Sequence, residues 1–321
     1  MERSKRGMRM TGVMIVGTGL ISRFHAQAVN ASTMLELKGF CGRTKEKAAA
    51  CAAEFGGAAY DDLDAALSAP GVGMVVVATA SGAHDEAVFA AARHGIPVLV
   101  EKPIAISVAR TDAMIVACRE AGVALGCIFQ TRWSEDFQSA RARIASGELG
   151  RLTYGAVRIP WWRKDEYYTE SNWHGTWAVD GGGALMNQAI HMVDWLVALM
   201  PPVADVKAFA GTLAHPMEAE DTVSAAIRFA DGSLGGVYAA TSSFPGRGKS
   251  LEITGTKGTL EIVDGGHGTS RPDALQFAQH QACFEAFAAS LSGGAPYPIP
   301  GEEARKSVAL IEEIYRSAGL R

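Results

Sequence analysis

The stretch Val13-Met14-Ile15-Val16-Gly17-Thr18-Gly19-Leu20-Ile21-Ser22 sets the frame for the whole chain. Four apolar residues stop at a glycine, as a buried parallel strand does, and Leu20 to Val29 then carries a helical pattern. In such a turn the first glycine permits the tight reversal. The second lets backbone N–H groups approach a pyrophosphate at the helix N-terminus. Ser22 stands at the third motif position, where Gly or Ala is usual, and is small enough for close helix–strand packing. A bare G-x-G also occurs in ordinary strand-to-helix turns. Its place after the first strand of a β-α-β unit makes it a dinucleotide-binding reading.

The same alternation continues downstream. Leu35 to Cys41, Met74 to Ala78, Pro97 to Val100 and Ala124 to Phe129 read as strands. Thr44 to Glu54, Asp61 to Leu67, His84 to His94 and Ser107 to Ala121 read as helices. Repeated units of this size predict a doubly wound parallel α/β sheet over residues 1–130. After residue 131 the rhythm changes. Helices are expected at Phe137 to Ser146, Gly183 to Met200, Leu275 to Ser292 and Glu302 to Ser317. Strands are expected at Leu152 to Ile159, Asp205 to Leu213, Thr222 to Phe229, Ser233 to Ser242, Ser250 to Thr254 and Thr259 to Val263. Asp231-Gly232 and Lys257-Gly258 read as hairpin turns, so residues 131–321 are expected to form an α+β domain on a largely antiparallel open sheet.

Composition narrows the function. Glycine is plentiful, 36 of 321 residues, which suits tight turns and close backbone approaches. A net charge of −4 with no long basic block argues against a nucleic-acid partner. No apolar run is long enough to span a bilayer. Met1 to Met10 is basic but is followed by too short an apolar run for a signal peptide, so a cytoplasmic location is expected. The five cysteines at 41, 51, 118, 127 and 283 form no close pair, which fits reduced packing thiols rather than disulfides or a metal site.

Two clusters carry reactive groups. Glu101-Lys102-Pro103 ends a strand of the parallel sheet, where ligands collect, so Lys102 can face a cofactor's reactive ring or simply pair with Glu101. Asn187 and His191 lie four apart on one helix after a triple glycine, with Asp194 one turn on. The second strand ends Phe40-Cys41-Gly42-Arg43-Thr44 with no acid to hold a ribose 2′-hydroxyl. Arg43 and Thr44 could instead bind a 2′-phosphate, favouring NADP(H) over NAD(H), or Arg43 could be a solvated loop residue or stack on adenine. Trp161 to Trp177 holds four of the six tryptophans and two of the seven tyrosines. Its aromatic faces, with Arg163, Tyr167, Tyr168 and Trp173, could bind a sugar-like ring or a neighbouring subunit.

In their order and spacing these pieces resemble the Gfo/Idh/MocA oxidoreductase family over nearly the whole chain. The matching segments are Gly17-x-Gly19 with His25, Ala78-Thr79-Ala80-Ser81 with His84, Glu101-Lys102-Pro103, Phe129 to Trp133, the triple-glycine helix to His191 and Asp194, and Phe284 to Ala318. The stretch between Val263 and Gln276 looks shorter than in the family. The resemblance implies an NAD(P)-binding Rossmann domain followed by a substrate-binding and oligomerising α+β domain, hence a homodimer or homotetramer. It implies hydride transfer between nicotinamide and a hydroxyl or keto carbon of a sugar, cyclitol or derivative, without a metal. Lys102 and His191 match the family's catalytic pair. Gly17, Thr18, Gly19, Leu20, Ile21, Thr79, Ser81, His84, Glu101 and Gln130 fall where the cofactor is held, and Arg132 and Asn187 where the substrate is held. At Asn187 many family dehydrogenases have aspartate. An amide cannot exchange a proton near neutral pH, which leaves a Lys–His pair rather than a triad. A non-catalytic dinucleotide-binding regulator of the same fold is the alternative function.

Overall fold

The computed structural model describes residues 10–171, 173–263 and 274–321. The basic N-terminal run before Met10 and most of the shortened stretch after Val263 lie outside the described residues. The first half winds as β1 (Thr11–Val16), α1 (Leu20–Ala31), β2 (Leu35–Cys41), α2 (Lys45–Phe55), β3 (Ala58–Tyr60), α3 (Leu63–Leu67) and β4 (Val72–Val77). It continues through α4 (His84–Arg93), β5 (Val98–Glu101), α5 (Val108–Glu120) and β6 (Leu125–Ile128). The six strands lie in the order β3-β2-β1-β4-β5-β6, every pair parallel. Val13 to Val16, Met74 to Val77 and Val98 to Val100 are buried, as strands covered on both faces must be. Strand order reverses between β1 and β4, which opens a crevice at their carboxyl ends.

The second half begins with α6 (Glu135–Ala145), β7 (Leu152–Pro160) and the single turn α7 (Glu166–Thr169). A turn of π-helix at Ala184–Ala189 then leads into α8 (Ile190–Leu199). There follow β8 (Val203–Gly211), β9 (Thr222–Phe229), β10 (Leu234–Ala240), β11 (Ser250–Gly255), β12 (Thr259–Val263), α9 (Ala274–Leu291) and α10 (Gly301–Ser317). These strands form a second six-stranded sheet ordered β12-β11-β7-β10-β9-β8. Both expected hairpins are present, and β7 runs parallel to β10, which hairpin turns alone do not reveal. β9 alternates buried and exposed residues along its length, and the sheet's buried face packs on α8 through β7 and on α10 through β8 while the other face is open.

The chain then returns to the first sheet. α9 packs on α1, and α10 lies against α5, α8 and β8. Cys127 of β6 donates its N–H to the Ile299 carbonyl at 3.0 Å, so the segment before α10 covers that sheet edge. All five cysteines are buried and free.

Candidate active site

The glycine loop has the form the cofactor reading requires. Gly17 has φ +126°, and a Cβ there would sit 2.3 Å from the Ala78 carbonyl oxygen. The turn after β1 thus presses directly on the end of β4, and only glycine fits. A Cβ on Gly19 would meet nothing within 4 Å, and α1 starts there without a side-chain cap. Its first N–H groups therefore border open space, and Thr18, Leu20 and Ile21 belong to the same turn. These residues fit a pyrophosphate. Ser22 is fully buried, so the small third motif residue does allow close packing. Across the crevice Arg43 is exposed at the end of β2, while the Thr44 hydroxyl caps α2 by accepting the Lys47 N–H. Thr79 and the buried Ser81 line the turn after β4, and Gln130 is buried just beyond β6 with its Oε1 lacking a hydrogen-bond partner.

Two residues expected to touch cofactor are occupied otherwise. His84 is buried, its Nδ1 3.0 Å from the Pro103 carbonyl and its Nε2 3.2 Å from that of Thr79. Both nitrogens face backbone, so the ring fastens the loop carrying Lys102 to the turn after β4. Glu101 is buried too, with Oε1 2.8 Å from His25 Nε2 and Oε2 accepting the Lys102 N–H. Burial alone would raise its pKa, but the bond and charge of His25, with His280 and Lys102, pull it down to about 2. Glu101 is an anchor for the β5 terminus rather than a ligand or a surface partner of the Lys102 side chain.

The anchored loop aims Lys102 across the cleft. Its Nζ donates to the Asn187 carbonyl oxygen at 3.1 Å. Asn187 lies in the π-helical turn, a wider winding than the α-helix expected there and one frequent at functional sites. A Cβ on Gly183 would sit 2.0 Å from the Glu220 carbonyl oxygen, so the triple glycine lets this turn lie against the start of β9. His191 follows in the first turn of α8, edge-on to Phe129 with ring centroids 5.8 Å apart. Burial and the charges of Lys102 and Lys249 hold its pKa well below 6.5, so it is a neutral imidazole at neutral pH. Burial also lowers the Lys102 pKa, opposed by Glu101 and Asp180.

A hydrogen-bonded network extends from this pair into the aromatic segment. Asn187 Nδ2 donates to both Asp180 oxygens at 2.7 and 2.9 Å. Gln188 Nε2 donates to Asn187 Oδ1 and to the Tyr167 hydroxyl, and Gln188 Oε1 accepts from Arg163. Arg163 lies over the rings of Trp161 and Tyr167, and His174 stacks on Tyr167 at 4.2 Å. Trp173 packs against His174. Asp180, Gln188, His174 and Lys249 were not singled out from sequence. For Asp180, Gln188 and His174 the signal was proximity in sequence to marked residues. Lys249 carried none.

Two expected substrate residues lie elsewhere. Arg132 is buried in a bidentate pair with Asp194, both bonds 2.7 Å, and also reaches Glu303 of α10. Its guanidinium is thereby committed to joining elements, and Asp194 with it. Tyr168 is buried with its hydroxyl on Thr241, so it packs the second domain. Among the described residues one group, His25, Glu101 and His280, has metal-ligand spacing, and its closest pair is already hydrogen-bonded.

Comparison with known proteins places the chain in a family. Residues 11–129 match the model of the oxidoreductase family with NAD-binding Rossmann fold, and 137–261 that of the Gfo/Idh/MocA C-terminal domain. The chain is 30% identical over 258 residues to a 1,5-anhydro-D-fructose reductase of Ensifer adhaerens, covering 77% of this chain and 74% of the relative. It is 27% identical to a levoglucosan dehydrogenase of Pseudarthrobacter phenanthrenivorans, covering 91% and 84%. It superimposes with a TM-score of 0.89 on the WlbA dehydrogenase of Bordetella pertussis, solved with NADH and UDP-GlcNAcA, at 33% identity and 97% coverage of both chains. The glycine loop, the Lys102–His191 cleft and the two sheets thus occur together in a chain that belongs to the Gfo/Idh/MocA family of nicotinamide-dependent oxidoreductases.

Proposed function

We propose that the reaction is carried by Lys102 and His191 on a secondary alcohol of a sugar or sugar derivative, or on the matching ketone. The carrying observation is that Lys102 is aimed across the cleft at the helix that bears a neutral His191. In the oxidation direction His191 accepts the hydroxyl proton as general base. The Lys102 ammonium hydrogen-bonds the same oxygen and stabilises charge developing on it. Nicotinamide, when bound, supplies the hydride acceptor or donor. Asn187 orients, and Arg163, Tyr167 and Trp173 form the wall that a ring would stack or bond against. The retained pair favours this over a non-catalytic regulator.

NADP(H) over NAD(H) is proposed for the cofactor, supported by the exposed Arg43 and the absence of an acid in Cys41-Gly42-Arg43-Thr44. One charge-assisted bond to a 2′-phosphate contributes about 1.5–3 kcal/mol. NAD(H) is the second reading. Asp61 and Asp62, just beyond β3, bear on Cys41 at the same strand end, and such charges repel a phosphate. Fluorescence titration with both reduced cofactors, on wild type and Arg43→Ala, separates them: tighter NADH binding by the wild type overturns the NADP(H) proposal.

Assembly as a homodimer or homotetramer through the open sheet, and a cytoplasmic site of action, complete the proposal. Buried free thiols suit a reducing compartment, and no described helix is long and apolar enough to cross a membrane. The reaction itself is tested by a dehydrogenase screen with both cofactors over sugars, inositols and sugar acids, including nucleotide-linked uronates. No turnover of any of them, with cofactor bound, returns the chain to the regulatory reading.

A further inference from the structure

A buried acid lies behind the proposed reaction centre, and the proposed chemistry gives it no role. Asp180 precedes the triple glycine, is 1% exposed, and is held by the Gly175 N–H at 2.9 Å. Its two oxygens take both bonds from Asn187 Nδ2. An ionised carboxylate only accepts hydrogen bonds, so Asp180 dictates which way the Asn187 amide faces. Nδ2 must turn toward the acid and Oδ1 away from it, where Gln188 Nε2 donates to it at 3.2 Å. The backbone carbonyl of the same asparagine receives Lys102 Nζ. Asp180 therefore fixes one residue that touches Lys102, and its charge acts on Lys102 through a low-dielectric interior.

We propose that Asp180 is a positioning residue for the reaction. It acts through Asn187, holding that amide in one orientation and the Lys102 ammonium in place as its counter-charge. The inference rests on the assignment of the reaction to Lys102 and His191. A purely structural acid would tie elements together, as Asp194 does with Arg132 and Glu303. Asp180 instead spends both oxygens on a side chain lining the cleft, and one of them also on the Gly175 backbone N–H five residues earlier in the chain.

Asp180 also titrates where activity can report it. Burial raises its pKa to about 6, against the pull of Asn187, the Gly175 N–H and Lys102. The groups facing it are Lys102 from the loop after β5, Asn187 from the π-helical turn, and Tyr167 and Tyr168 from α7, whose phenols are pushed up by burial first and by its charge in addition. Below pH 6 the acid becomes neutral, Lys102 loses a counter-charge, and the amide is no longer held in one orientation. Turnover should therefore fall as pH drops through about 6. His191, with its pKa pressed far lower, contributes a separate limb further to the acid side.

The test is the pH profile of kcat for wild type, Asp180→Asn and Lys102→Met with the same substrate. Asp180→Asn is expected to lose roughly ten- to a hundredfold in kcat with a smaller change in KM, and to lose the limb near pH 6. An Asp180→Asn enzyme with wild-type kcat and an unchanged limb overturns the inference. If Lys102→Met is also fully active, the assignment of the reaction to Lys102 fails instead, so the two failures are distinguishable. Should Asp180→Asn not fold, the wild type decides: infrared or carboxyl-carbon NMR titration must show a buried aspartate changing charge together with the kcat limb. A limb with no matching carboxyl transition overturns the proposal equally.

Discussion

Lys102 gathers opposing influences on one nitrogen: burial presses its pKa down while Glu101 and Asp180 press it up. A lysine so placed can hold a proton and still give a strong, partly desolvated hydrogen bond to an oxygen gaining charge. Lys102→Met should lower kcat by ~10²- to 10⁴-fold with cofactor affinity, measured by fluorescence, unchanged. Full activity would remove Lys102 from the chemistry. Asn187 offers a second experiment. Asn187→Asp places a new carboxylate against Asp180, where Nδ2 now sits 2.7 and 2.9 Å from its oxygens. Two carboxylates so close share a proton, and one of the pair's apparent pKa values rises above that of Asp180 alone. The kcat profile of Asn187→Asp should therefore gain a titration above pH 6 that Asn187→Ala lacks. Identical profiles would place Asn187 outside the reaction centre. Residue types alone carried much of this site, because Lys102 and His191 sit in motifs whose chemistry is legible. What sequence did not carry is who faces whom. Arg132, Glu101, His84 and Tyr168 have side chains suited to ligands, yet partners 62, 76, 19 and 73 residues away in the chain occupy them.

Between elements, the Arg132–Asp194–Glu303 cluster joins the segment after β6 to α8 and α10. Asp194 is fully buried, and burial would raise its pKa far more without Arg132. Removing the arginine leaves a carboxylate in the core with no cation bonded to it, a change that costs about 3–5 kcal/mol. Arg132→Leu is expected to lose stability of that order in denaturant unfolding, while KM of the folded fraction stays near wild type. A raised KM with unchanged stability would return Arg132 to the substrate site. Strands β1, β2 and β9 were legible because period-2 or continuous apolar runs end at glycine or turn residues. β3 is only Ala58–Tyr60, too short for any period, and its pairing with β2 supplies what its own residues lack. The π-helical turn was hidden for another reason. Its residues suit an α-helix, and the widening goes with close packing on β9 and the Lys102 contact, both long-range.

At the scale of the molecule, the parallel sheet was legible because each β-α-β unit is local, whereas the pairing of β7 with β10 joins residues about eighty apart in the chain and was not. The open face of the second sheet was only partly legible. Ile253 of β11 is buried on the core side, while Phe209 is 87% exposed and Tyr238 is half-buried. Register makes the face explicit. Phe209, Ser224, Tyr238, Arg158, Ser250 and Val263 form one row across all six strands. Beside it Lys207, Ala226, Gly236, Ala156, Glu252 and Glu261 form another, whose middle is three small residues. Small side chains at the centre allow a second sheet to approach closely, and exposed aromatic and apolar groups at the flanks add area to bury. The proposed homo-oligomer should therefore appear by light scattering at micromolar concentration. Ala226→Glu tests the face without touching the core, since Ala226 points outward and its neighbours along β9 carry the packing. Two-fold pairing sets each new carboxylate near its own copy or buries it unpaired, at a cost of several kcal/mol in association. The variant should run as monomer with a near-wild-type circular dichroism spectrum. A monomeric wild type, or an Ala226→Glu variant as oligomeric as its parent, would show that this face is not the one that pairs.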